Sequence, residues 1–92
     1  MIKTFKHKGL KQFFESGTTR GIQATHQRKL QLILTTLDAA KEVQDMSAPA
    51  LKLHELKGEE HGTWSVWVNG NWRVTFRFEN GDAYIVDYRD YH

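Results

Sequence analysis

Cysteine is absent from the 92-residue chain, which removes disulfides, thiolate metal sites and a cysteine nucleophile together. That fits a reducing compartment. No apolar run approaches the roughly 18 residues a membrane span requires. Met1-Ile2-Lys3-Thr4-Phe5-Lys6 runs into charge rather than into the apolar stretch of a signal peptide. A soluble, cytoplasmic protein without membrane contact is expected. Gly-x-Gly-x-x-Gly and P-loop patterns for cradling phosphates are missing. None of His7, His26, His54, His61 and His92 falls in a His-x-x-x-His pair, and no carboxylate cluster suits two-metal chemistry. Ser16, Ser47 and Ser65 stand in no recognisable nucleophile context. Neither a metal nor a cofactor is expected.

What is present favours one folded domain over residues 1–92. Hydrophobic residues make up 39% of the chain and aromatics 12%, too much for a disordered segment and enough for a modest core. The formal net charge of +2 hides an asymmetry. Lys3, Lys6, Lys8, Lys11, Arg20, Arg28 and Lys29 crowd the first third against Glu15 alone, so the rest of the chain is net acidic. Such a basic lobe suits docking to a polyanion, or is a solvated lysine-rich face.

Ile2 to Phe5 suits a short first strand. Lys8 to Ser16 places Leu10, Phe13 and Phe14 at helical spacing, with Gly17 positioned to end the helix. A basic loop, Gly17 to Gly21, follows. Thr25 is the expected N-cap of a second helix, whose Leu30, Ile33, Leu34, Leu37 and Lys41 repeat every three or four residues. That stripe reads as core. Met46-Ser47-Ala48-Pro49 closes the helical half, and Leu51-Lys52-Leu53 can add a short strand. Thr63–Val68, Trp72–Phe78 and Ala83–Tyr88 are rich in β-branched and aromatic residues and are separated by Asn-Gly turns, the pattern of an antiparallel meander. The fold class is α+β, in the order β-α-α and then a meander with the helices on one sheet face.

A period of two assigns faces. A two-residue Asn80-Gly81 turn pairs Phe78 with Ala83, Arg77 with Tyr84, Phe76 with Ile85, Thr75 with Val86 and Arg73 with Tyr88. Phe76, Phe78, Ala83 and Ile85 then face the core. Arg73, Thr75, Arg77, Tyr84, Val86 and Tyr88 face away, with Asp90 and His92 beside Arg73 and Asn71 opposite Asp90. A three-residue loop in the first hairpin puts Trp64, Val66 and Val68 on the core side and Trp67 with Arg73. Asp87 resists this scheme, because it faces Val74 in the core; a bulge near the end would resolve it. A polar face on a small antiparallel sheet is ordinarily solvated.

The residue types on that face suit RNA cleavage. RNA carries its own nucleophile, the 2′-hydroxyl. A protein has to take that proton, protonate the leaving 5′-oxygen and stabilise the charge growing on phosphorus. Histidine suits the first two tasks; fixed lysine or arginine suits the third. His54, His92, Lys57 and Arg73 supply them. Deoxyribose lacks the hydroxyl, so intact DNA should not be a substrate.

Four segments carry a resemblance. Leu53-His54-Glu55-Leu56-Lys57-Gly58, Gly62-Thr63-Trp64-Ser65-Val66, Val68-Asn69-Gly70-Asn71-Trp72-Arg73-Val74 and the closing Asp90-Tyr91-His92, with the opening Ile2 to Leu10, resemble the HigB group of RelE-type toxins. The resemblance implies a RelE-like fold and a metal-independent endoribonuclease. It implies cleavage of messenger RNA in the A site of the small ribosomal subunit, and a HigA-type antitoxin as partner. By matching position, His54, Lys57, Arg73, Asp90, Tyr91 and His92 would form the active site. Asn71 would lie beside it and help recognise a base, and the basic lobe would touch ribosomal RNA. Lys57 and Arg73 are then the expected charge stabilisers. His54 and His92 are the candidate acid and base, with His92 preferred as proton donor and the reverse assignment open. Asp90 orients an imidazole or holds Arg73; Tyr91 stacks on a base or orients the phosphate; the three tryptophans read as core, and Trp67, alone on the functional face, is the one placed to stack on RNA. The α-carboxylate of His92 would favour its imidazolium. Two other readings remain: a non-enzymatic gyrase inhibitor of the ParE type, and a non-catalytic RNA-binding module.

Overall fold

The computed structural model describes residues 1–91; His92 lies outside the described residues. Helix α1 spans Lys8–Ser16 and α2 spans Gln27–Ala39. Strands β1 (His54–Glu55), β2 (Thr63–Asn69), β3 (Trp72–Glu79) and β4 (Asp82–Asp90) form one antiparallel sheet in the order β1-β2-β3-β4. No helix among the described residues is long and apolar enough to cross a membrane.

The helices form where the periodicity placed them. His7 caps α1, its Nδ1 accepting the Leu10 N–H at 2.9 Å. Gly17 ends it in the left-handed region at φ +80°, where a Cβ is costly, and donates its N–H to the Phe13 carbonyl. Leu30, Ile33, Leu34 and Leu37 of α2 are wholly buried. With Leu10 and Phe13 they pack on Val66, Val74, Phe76, Ala83 and Val86 of the sheet, so both helices cover one face.

Four local expectations are corrected. Thr25 does not cap α2: it lies within a 3₁₀ turn, Ala24–His26, that leads into the helix and turns the His26 ring inward. Leu51-Lys52-Leu53 is not a strand, and Pro49 opens a further helical turn instead of closing the helical half. The fixed φ of proline suits the first position of the 3₁₀ turn Pro49–Leu51, and Lys52 (φ +48°) then reverses the chain into β1. Ile2 to Phe5 is not a continuous strand but bridges β4 in parallel at Ala83 and Val86. The break between the bridges coincides with Ile85, whose N–H turns to the Thr4 hydroxyl at 2.7 Å.

The sheet register follows expectation up to one point. Asn80-Gly81 is the turn, and Phe78 pairs with Ala83 and Arg77 with Tyr84. Val66 pairs with Val74 and Trp67 with Arg73, as expected, although the turn itself is Gly70-Asn71 and a bulge at Val68 supplies the extra residue. Beyond Tyr84 the register shifts. Ile85 takes φ +55° and bulges out, 47% exposed, so Thr75 pairs with Asp87, Val74 with Tyr88, Arg73 with Arg89 and Trp72 with Asp90. The bulge moves Asp87 off the core side. It also overturns the expected core position of Ile85 and the outward positions of Val86 and Tyr88, both of which are buried.

Candidate active site

The sheet face away from the helices is organised in rows. His54, Ser65, Thr75 and Asp87 pair in succession across the four strands, and beside them Trp67, Arg73 and Arg89 make a second row. Ser65 and Thr75 are fully buried, and their hydroxyls have no hydrogen-bond partner among the described residues. No enclosed pocket exists among the described residues, so a substrate would lie on an open face.

His54 is exposed at the edge strand, and its Nδ1 lies 3.1 Å from the Lys52 carbonyl. A carbonyl only accepts, so Nδ1 carries the proton, and in the neutral ring the Nε2 lone pair stays available as a base. Leu56 extends the ladder by donating its N–H to the Thr63 carbonyl at 2.8 Å, and exposed Lys57 follows at the mouth of a short 3₁₀ turn, Gly58–Glu60. Arg73 is half-buried; its guanidinium donates to the carbonyls of Gly70 and Trp72, each at 3.1 Å. Trp67 donates its indole N–H to the same Gly70 carbonyl at 2.9 Å. The ring carries the Lys52 ammonium 4.3 Å and the Lys29 ammonium 5.0 Å from its centroid.

Arg89 is the side chain that the sequence did not single out. It reaches Asp87 at 3.1 Å, Glu60 at 2.6 Å and the Tyr91 hydroxyl at 3.2 Å. Burial alone would lower its pKa; the Glu60 carboxylate, with Tyr91 and Asp87, outweighs this and holds the guanidinium charged. Arg89 thus ties Tyr91 to the turn that follows Lys57. Alternation would have found Asp87, Arg89 and Tyr91 on one face only with the Ile85 bulge known. Lys52 gave no signal at all, because its role depends on its left-handed backbone.

The register places His54, Trp67, Arg73 and Arg89 on one side of the sheet, with Tyr91 joined to it through Arg89, while Lys57 stands exposed just beyond the edge strand. The structure does not bring Asp90 to Arg73. The bulge shifts Asp90 opposite Trp72, on the helix side; burial raises the Tyr88 pKa there, the Gln23 N–H opposes the rise and the Asp90 charge adds to it. Nor does Asn71 pair with Asp90. Asn71 is exposed at the turn, and its carbonyl accepts the Tyr91 N–H at 2.8 Å. The expected role of His92 falls outside the described residues. Lys3, Lys6, Lys8, Lys11, Arg20 and Arg28 are all exposed, whereas Lys29 leaves that group and turns to Trp67. The ion pairs among the described residues involve Arg89, His61 and the N-terminus, so Lys29, Lys52, Lys57 and Arg73 have no carboxylate partner there.

The chain also matches known proteins. A model of the RelE-like toxins of type II toxin-antitoxin systems, HigB group, matches residues 3–92. Endoribonuclease HigB of Proteus vulgaris is 50% identical over 92 residues, covering all of both chains.

Proposed function

This chain belongs to the HigB-like family of RelE-like toxins of type II toxin-antitoxin systems, and from that premise we propose that it is a cytoplasmic endoribonuclease that cuts messenger RNA in the ribosomal A site. Its partners on this reading are the ribosome, its message and a HigA-type antitoxin. The full-length relative named as an endoribonuclease supports the activity. The observation that supports the site most is one open sheet face that carries His54, its Nδ1 bonded to the Lys52 carbonyl, and Arg73, which like nearby-in-sequence Lys57 has no carboxylate partner among the described residues.

His54 Nε2 takes the proton of the 2′-hydroxyl. The 2′-oxygen bonds to phosphorus as the bond to the 5′-oxygen breaks, leaving a 2′,3′-cyclic phosphate and, once protonated, a 5′-hydroxyl. His92 is assigned as the proton donor on this reading, as the complement of His54. Lys57 and Arg73 stabilise the charge that builds on the phosphoryl oxygens. Tyr91, held by Arg89, orients the phosphate, and Asn71 stands at the turn beside it to meet a base. Asp90 lies opposite Trp72 rather than in the row of Arg73. The exposed lysines of the N-terminal lobe and α1 hold the ribosome. An open face gains from a substrate already fixed in line, which the ribosome supplies.

The test is a message with one 2′-deoxy nucleotide at the cut position, bound to programmed ribosomes. The all-ribose message should be cut and the substituted one left whole, with ribosome binding unchanged. Equal cutting of both would contradict 2′-hydroxyl attack.

A further inference from the structure

We propose that Lys29 and Lys52, held over the indole of Trp67 beside Arg73, form a subsite for the messenger phosphodiester adjoining the one that is cut. This rests on the endoribonuclease reading above. Three separate elements converge to build the patch. Lys29 comes from the first turn of α2, Trp67 from β2, and Lys52 from the link between the Pro49–Leu51 turn and β1.

Lys52 adopts a left-handed backbone that a side-chain-bearing residue occupies only at some cost. That conformation aims its carbonyl at His54 and its ammonium at Trp67 in one step, at 3.1 Å and 4.3 Å. Lys29 completes the patch, its ammonium 5.0 Å from the ring centroid and 3.5 Å from the Ala50 carbonyl. Each attraction to the ring leaves the ammonium hydrogens on its outer side able to bind an anion. No carboxylate among the described residues neutralises either lysine. On the same face, by contrast, Arg89 is matched by Asp87 and Glu60.

The ligand is a phosphate rather than a base because the ring already carries two ammonium groups, which a stacking base would have to displace. It belongs to the strand being cut because Trp67 is the cross-strand neighbour of Arg73 and both bond the Gly70 carbonyl. Cross-strand neighbours lie about 5 Å apart at Cβ, so a strand with one phosphate on Arg73 passes the patch with the next.

The experiment is steady-state cleavage on programmed ribosomes by the full chain, Lys52→Gln, Lys29→Gln and the control Lys41→Gln, a lysine outside the patch. Each is run on an ordinary message and on messages with an uncharged methylphosphonate at the phosphate on either side of the cut. Denaturation midpoints establish that the variants are folded. On the ordinary message Lys52→Gln should raise KM about tenfold, the scale of one charge-assisted contact, with kcat within about twofold of the parent. The slope of log(kcat/KM) against log salt should flatten by about 0.7, one single-strand phosphate contact. Lys29→Gln should act in the same direction, and Lys41→Gln should change nothing.

With the methylphosphonate at the right position the penalty for Lys52→Gln should vanish. A penalty that persists in full with both substituted messages would overturn the proposal and assign the lysines to ribosomal RNA. Unchanged KM and salt slope for both patch variants would also overturn it. Failure of the parent to cut the ordinary message would instead remove the nuclease reading beneath it.

Discussion

Arg73 and Arg89 face each other across β3 and β4, in different electrostatic surroundings. Arg73 is bonded only to backbone carbonyls among the described residues, so its charge is available to a substrate. Arg89 has its charge matched and acts as a tie. Glu60 is 46% exposed, so Glu60→Gln should cost less than about 1 kcal/mol of stability. It should nevertheless slow turnover on the ribosome, because it cuts the link between the Lys57 segment and Tyr91. Arg89→Gln should cost more, roughly 1–3 kcal/mol, since Asp87 is only 13% exposed and loses its partner. Denaturation with single-turnover cleavage checks both; an unchanged kcat in Glu60→Gln would refute the tie.

His26 gives a pH prediction. Its Nδ1 is hydrogen-bonded to the Tyr88 hydroxyl at 2.6 Å, and that hydroxyl also accepts the Gln23 N–H. Burial lowers the His26 pKa below 6.5. The unfolded chain therefore takes up the proton first as pH falls. The contribution of neutral His26 is complete above pH 6.5 and is lost as pH drops through its lower folded value. Denaturation midpoints should fall over that range, and less steeply in His26→Gln. Parallel curves would refute the assignment. His26 was legible only as one histidine among five, because its partners come from β3 and β4 and no local pattern announces them.

At the scale of elements, the bulge at Ile85 decides what the face contains. It turns Asp87 and Arg89 outward and Val86 and Tyr88 inward, and it accounts for the parts of the site that alternation missed. The sequence carried one sign of it, since Asp87 made no sense in an unbroken register. The position was not legible, because a β-branched residue is a poor choice for positive φ. Ile85→Gly should relieve that strain and raise stability by about 0.5–1 kcal/mol net of the added freedom of the unfolded chain. A lower thermal midpoint in this variant would mean that the Ile85 side chain contributes more than its exposure implies. Elsewhere strong local signals carried through: the stripe Leu30-Ile33-Leu34-Leu37, the Gly17 stop and the Asn80-Gly81 turn all lie where the sequence put them. The links failed, at Thr25 and at Leu51 to Leu53, where long-range packing overrode short-range preference.

For the whole molecule, the charge asymmetry read from the sequence becomes two surfaces. Lys3, Lys6, Lys8 and Lys11 stay exposed along the N-terminal segment and α1, while Lys29 joins the sheet edge with Lys52. One cationic surface suits a large polyanion and the other suits the strand to be cut. The fold itself does not distinguish a nuclease from a gyrase inhibitor or a binding module; the relative named as an endoribonuclease favours the first. The most direct measurement is 5′-end mapping of messenger RNA on programmed ribosomes, with the full chain and its Arg73→Ala variant, beside matched naked RNA. Cuts confined to the A-site codon, lost with Arg73→Ala and absent on naked RNA, are the predicted result. No cuts under any condition, or equal cutting by the variant, would contradict the account.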